Sequence, residues 1–205
     1  MEVELKYQID DADKIGQIFE DAYLCRIKDR QTEETIEMHA VYFDTEDRRL
    51  YREAISFRVR KEGRKIVATL KWNGSSEDGM HKREEINVPV DDEEKLHSPD
   101  IKIFDQSEMC EVLTRVVGKR TLYPVMDVYF DRRQMRLDTG SCICEISVDQ
   151  GRIQCNGKEA PISELEIELY SGDEEEMKQL GAEISEKYGL VPENTSKFKR
   201  GLDLM

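Results

Sequence analysis

The chain has 205 residues, 38 % of them hydrophobic and 37 % charged, with a formal net charge of −14. That length suits one domain spanning 1–205 with a real core, and the acidic excess removes the overall positive field that a protein coating duplex nucleic acid needs. No run approaches the roughly 18 apolar residues of a membrane span, and the charged, alternating N-terminus is unlike a signal peptide, so a cytoplasmic protein with no membrane partner is expected.

Residues 2–9 alternate, with Glu2, Glu4, Lys6 and Gln8 on one face and Val3, Leu5, Tyr7 and Ile9 on the other, which predicts a strand. Asp10, Asp11 and Asp13 then open an amphipathic helix carrying Ile15, Ile18, Phe19 and Ala22. Strands follow over 39–43, 55–61, 65–72 and 82–90, with a turn and short helical piece over 44–52. A polar loop is expected at 73–79. Residues 91–118 read as mostly helical. A second group of strands covers 121–138, 141–149 and 162–170, separated by turns at Thr139-Gly140, Gln150-Gly151 and Asn156-Gly157. Asp173 to Tyr188 predicts a helix capped by Gly189, and the tail from Ser196 is basic, then apolar. About eight strands in two groups, with helices between, suit an α+β fold built on a closed antiparallel β-barrel.

The informative feature is which charges share a strand face. Glu2, Glu4 and Lys6 share one; so do Ser56, Arg58 and Arg60; Thr69 and Lys71; Arg83 and Glu85; and Glu164, Glu166 and Glu168. Such faces on a sandwich would point to solvent. Three glutamates at alternate positions repel one another without a cation, however, and an Arg-x-Arg beside a lysine strand repels without an anion. A closed barrel with these faces inward resolves both conflicts. Carboxylates would hold a hard divalent cation such as Mg²⁺ or Mn²⁺, and guanidinium and ammonium groups would hold phosphoryl oxygens.

Glu2-Val3-Glu4-Leu5-Lys6 resembles the ExExK signature of the CYTH superfamily, the triphosphate tunnel metalloenzymes. Tyr42-Phe43-Asp44-Thr45, Phe57-Arg58-Val59-Arg60, Thr69-Leu70-Lys71, Arg83-Glu84-Glu85, Glu145 to Gly151, Glu164 to Leu169 and Ser196 to Gly201 follow in family order. The last two are most similar to the CYTH half of bacterial inorganic triphosphatases, in which a helical CHAD domain often follows; none follows Met205 in this sequence. The resemblance implies an eight-stranded tunnel and metal-dependent hydrolysis of tripolyphosphate or another triphosphate-bearing small molecule. It implies metal binding by Glu2, Glu4, Glu166 and Glu168, with Glu85 and Glu145 as further inner carboxylates. Lys6, Arg58, Arg60, Lys71 and Lys197 would grip phosphates, with Arg83 and Arg132 as additions, and Lys6, Glu4 and Glu168 would act in catalysis. Residues 131–136 depart from the family pattern and leave open which of Arg132, Arg133 and Arg136 faces inward.

A second, weaker metal could activate the attacking water. Hydrolysis of thiamine or nucleoside triphosphates, cyclisation of ATP, and a non-catalytic polyphosphate-binding module remain as alternatives. No strand-end aromatic cluster argues for an adenine pocket, and both ExE pairs are intact. His39, His81 and His97 lack metal-site spacing, and the five cysteines include no CxxC pair; both sets read as structural. Trp72 reads as packing, and Asp173 to Glu176 as a helix start. A homodimer is compatible with the sequence.

Overall fold

The computed structural model describes residues 1–205. Eight antiparallel strands close into a barrel: β1 (Glu2–Gln8), β2 (Lys28–Thr45), β3 (Ser56–Glu62), β4 (Lys65–Glu77), β5 (Met80–Pro89), β6 (Leu122–Asp138), β7 (Cys142–Cys155) and β8 (Lys158–Gly172). They run β5-β4-β3-β2-β6-β7-β8-β1, and β1 returns to β5 to shut the ring, which leaves no open edge. A two-residue strand, β9 (Val191–Pro192), joins the end of β1. Helices α1 (Asp13–Phe19), α2 (Leu24–Ile27), α3 (Arg49–Arg52), α4 (Cys110–Val116), α5 (Glu174–Tyr188) and α6 (Lys197–Leu202) flank it.

Around the cavity both faces of the wall are buried, for different reasons. On the outside, Val3, Leu5 and Tyr7 pack with Ile18 and Phe19 of α1 and with Met177, Leu180 and Ile184 of α5. A second outer cluster sets Phe43, Phe57, Val59 and Leu70 against Phe104, Leu113 and Val116, with Trp72 at its edge as packing. Period-two alternation turns the intervening residues inward. Register confirms this: Arg58 lies opposite Tyr42 and Thr69, and Arg132 lies opposite Asp149, which faces Glu164. One end of the interior is apolar. Met126 and Ile153 there meet α6, whose Gly201 lies so close to Met126 that a Cβ would stand 2.2 Å from its sulfur.

The structure differs from the sequence reading in several elements. β2 begins at Lys28, well before residue 39, because its exposed half is held by the backbone ladder to β6 and needs no apolar face. β4 likewise continues through the expected loop to Glu77, with a bulge between Trp72 and Ser75. The turn itself is only Asp78 and Gly79, both at positive φ, as a two-residue hairpin requires. The expected helix over 13–22 ends at Phe19, and Asp21 caps α2 by accepting from Tyr23 N at 2.7 Å and Leu24 N at 3.0 Å. The 91–118 stretch holds two 3₁₀ turns and the short α4.

Gln150-Gly151 is no turn. It lies inside β7, paired with Phe130 and Asp131 of β6. A Cβ on Gly151 would stand 2.0 Å from the Tyr129 carbonyl oxygen, so the glycine is there for close strand approach. Gly151→Ala is expected to cost about 1–3 kcal/mol, the usual cost of overpacking, measured as a lowered urea midpoint.

Candidate functional site

The inward charges converge. One cavity is lined by Glu2, Glu4 and Lys6 of β1, Arg58 and Arg60 of β3, Lys71 of β4, Arg83 and Glu85 of β5, Arg132 of β6, Glu166 and Glu168 of β8 and Lys197 of α6. Seven basic side chains thus face five carboxylates inside a protein of net charge −14. Of the residues expected from sequence, all but Glu145 line this space. Glu145 stands outside the lining, paired in register with Glu168 and Arg136, and its Oε2 accepts from Tyr170 Oη at 3.4 Å. Arg132 is the inward arginine of its segment. Arg133 turns out to Glu33 and over the Phe19 ring, while Arg136 sits over the Tyr170 ring.

Local structure aims these groups. Asp44 is buried and accepts from Leu50 N at 2.9 Å and Tyr51 N at 3.1 Å, pinning the chain between β2 and β3. Ser196 Oγ caps α6 by accepting from Lys199 N at 3.2 Å, which sets Lys197 at the helix start, pointing into the barrel.

At the buried end, Lys6 Nζ lies 2.6 Å from Glu166, and Arg132 makes a bidentate pair with Asp149, both bonds 2.7 Å. Burial pushes the Lys6 ammonium down, but Glu166, Glu4 and Glu164 outweigh it and raise it above the ordinary lysine range. Lys6 therefore stays protonated. Glu166, despite burial, is held well below the usual carboxylate range by Lys197, Lys6 and Arg132.

At the other end, Lys71 bonds Glu2 at 2.7 Å and Glu85 at 2.5 Å, and Arg83 bonds Glu2 at 2.7 Å and also Glu4. Glu85 is pushed up by burial but drawn down to about 2 by Lys71 and Arg58. Glu168 forms no ion pair. Burial and the neighbouring Glu2 and Glu4 carboxylates push it up to about 7. A carboxylate in this state, beside two others, is short of a cation. The donors are all oxygen, and they fit a hard ion such as Mg²⁺ or Mn²⁺.

The complementary deficit lies at Arg58 and Arg60. Arg58 donates to Thr69 Oγ1 at 3.4 Å and lies opposite Tyr42 in register, and its buried Nε has no partner. Arg60, apart from Glu62, is pushed down by burial and by Arg58 beside it. Two guanidinium groups with spare donors side by side fit an oxyanion.

Sequence reasoning did not assign Tyr42, Asp149, Glu164 or Arg200. The Tyr42 ring lines the cavity and stacks on Phe198, with centroids 5.1 Å apart; its phenol is lowered, against burial, by Arg58, Lys71 and Lys197. Asp149, Glu164 and Glu166 form a buried acidic cluster. Asp149 shares parity with Glu145 in the strand expected over 141–149, but only the fold brings Arg132 and Lys197 to it. His81 is buried, its Nε2 2.7 Å from the Glu193 carbonyl oxygen, and His39 bonds Asp127 at 2.8 Å; neither faces the cavity. The five cysteines are free.

Residues 1–202 match the CYTH domain model, and the chain belongs to that family. It is 28 % identical over 160 residues to an inorganic triphosphatase of Haemophilus influenzae, covering 78 % of this chain and 44 % of that protein, so it spans less than half the relative's length. A putative adenylyl cyclase from Hippeastrum, described as having a dominant triphosphatase activity, superposes with a TM-score of 0.68 at 20 % identity, covering 97 % of this chain and 93 % of that one. A protein from Pyrococcus horikoshii superposes with a TM-score of 0.61 at 19 % identity over the full length of both chains. These superpositions establish the fold. No helix is long and apolar enough to cross a membrane.

Glu168 gives the metal-free protein a signature. An unfolded glutamate titrates near about 4.3 and the folded one at about 7, so the folded state binds the extra proton between those values. Stability contributed by that proton is full below the unfolded value and lost as pH rises through about 7. Denaturation midpoints in EDTA should therefore fall across this window, and Glu168→Gln should flatten the slope. An unchanged slope would place Glu168 away from Glu2 and Glu4.

Proposed function

We propose that this protein is a metal-dependent hydrolase that cleaves a linear triphosphate inside the barrel, with inorganic tripolyphosphate giving pyrophosphate and phosphate. One observation carries this reading: a carboxylate set short of a cation and an arginine pair short of an anion share one enclosed cavity. The family membership and the Haemophilus relative's name support it.

In this reading Glu2, Glu4 and Glu168 hold the divalent ion. When bound, that ion neutralises phosphoryl charge and polarises the phosphorus centre. Arg58, Arg60, Lys71 and Arg83 grip non-bridging oxygens and fix the chain in line for attack. Lys6, kept protonated, donates to the reacting phosphoryl group and cannot serve as the base. Water oxygen bonds to the terminal phosphorus, the bridging P–O bond breaks to release pyrophosphate, and the water proton would pass to the Glu168 carboxylate, which no ion pair occupies.

Phosphate release from tripolyphosphate with Mg²⁺ or Mn²⁺ tests the reading. Glu4→Gln is expected to lower kcat/KM by about 10²-fold or more, the scale of losing one preorganised charged group. Arg58→Ala is expected to raise KM by about 10-fold or more, as a lost charge-assisted bond does. Release unaffected by Glu4→Gln would reject the reading.

A second reading rests on a crevice that shares Ser56, Lys71, Arg83 and Phe198 with the cavity and adds Tyr51 and Trp72. This aromatic lining, which the sequence did not reveal, favours a triphosphate bearing an aromatic group. Faster turnover of ATP or thiamine triphosphate than of tripolyphosphate would select it, and cyclic AMP as main product would select cyclisation.

A further inference from the structure

The cavity adjoins two crevices on the side of α6 that faces β4 and β5. One is the crevice of Tyr51 and Trp72. The other is polar and holds Ser75, and the two share Gly74, Arg83, Ser196 and Lys199. Arg83 and Ser196 line the cavity as well. The crevices hold about 480 and 300 Å³ against about 110 Å³ in the cavity, so the space widens outward on this side.

A bulge in β4 shapes the opening. Trp72 pairs with Glu84 and Ser75 with Lys82, so Asn73 and Gly74 together oppose Arg83 of β5. An extra residue bends its strand, and Gly74 puts no side chain into the gap: a Cβ there would stand 3.7 Å from Arg83 Cβ. On the β6 and β7 side the same end of the barrel is shut by Met126 and Ile153 against Gly201.

The two ends of the barrel differ in sign. Neither crevice is lined by an aspartate or glutamate, in a chain that has 45 of them and a net charge of −14. Lys71, Arg83 and Lys199 are the lysines and arginines of these linings; Asp203, which bonds Lys199, lies outside both. At the opposite end, where β2 and β7 begin and β3 and β6 end, inner-face positions carry Glu34, Glu62 and Glu145. Arg60 is engaged there by Glu62 at 2.7 Å, and Arg136 stands 4.0 Å from Glu145. The unpaired Glu168 lies opposite Glu145 in register. A cleft lined by one sign of charge concentrates the opposite ion and speeds its arrival by about 10–10³-fold. The crevice side attracts a polyanion, and the axial mouth repels it.

We infer that the acid-free crevices between α6 and the wall of β4 and β5 are the port by which the anionic substrate enters, with Lys199 as the steering charge at its lip and Arg83 at the passage into the cavity. The inference rests on the hydrolase reading above. It gives the two lysines of α6 separate tasks: Lys197 is buried and points into the barrel, while the Lys199 side chain is 53 % exposed.

The test is kcat/KM for tripolyphosphate with Mg²⁺, measured as ionic strength rises. Steered entry makes the wild-type constant fall with salt. Lys199→Glu should lower it about 3-fold or more at low ionic strength and flatten its salt dependence, with kcat unchanged. Ser75→Glu, on β4 and not on α6, should do the same, which keeps the test valid if Lys199→Glu disturbs the helix. Glu34→Lys at the axial mouth should leave the constant and its salt dependence as in the wild type. A salt-independent wild type, crevice variants that match it, or a gain with Glu34→Lys would overturn the inference and leave the hydrolase reading standing. No phosphate release by the wild type would overturn both.

Discussion

Closure of the barrel forces charged side chains of both signs into one space, and everything else follows from how they neutralise each other. A lone buried ion costs several kcal/mol, and a pair is tolerable only when its geometry satisfies both partners. At the buried end that condition is met: Lys6, Arg132, Lys197 and Arg200 leave no carboxylate without a partner. Toward Glu168 it is not met, and the unmet part is where chemistry can occur. The same enclosure that makes the ion pairs strong makes the deficits at Glu168 and Arg58 ready to bind ions of the right sign.

The outer layers serve this interior. Apolar faces of β1, β7 and β8 pack under α1 and α5, and those of β2, β3 and β4 pack under α4 and the 3₁₀ turns. Around the cavity the wall is therefore buried on both sides, and each strand is fixed in register. A one-residue slip would exchange the charged and apolar faces, so the site and the fold are specified by the same alternation. The C-terminal helix closes the arrangement by carrying a charge inward and packing small at Gly201, where the barrel leaves no room for a Cβ.

Much of this was legible in the sequence because period-two alternation is explicit in Glu2 to Gln8, in Ser56 to Lys61 and in Glu164 to Leu169. Those strands placed Glu2, Glu4, Lys6, Arg58, Arg60, Glu166 and Glu168 on inner faces, and the structure brings them together. What failed had physical causes. The long exposed arms of β2 and β4 carry no apolar alternation, so only their backbone ladders mark them as strands. Gly151 reads as a turn in a single sequence, whereas its role is close approach to the neighbouring strand β6. Asp149 lies within the strand read over 141–149, but its partners Arg132 and Lys197 come from β6 and α6, and no linear signal joins the three. The aromatic crevice of Tyr51, Trp72 and Phe198 is assembled from three distant segments and has no linear signal.

The most direct measurement is a crystal structure of the protein with tripolyphosphate and Mn²⁺, the metal located by its anomalous scattering. Convergence of the two charge deficits predicts a manganese peak among Glu2, Glu4 and Glu168, with phosphoryl oxygens on Arg58 and Arg60. Manganese seated among Asp149, Glu164 and Glu166, or phosphate bound only on the outer surface, would contradict it.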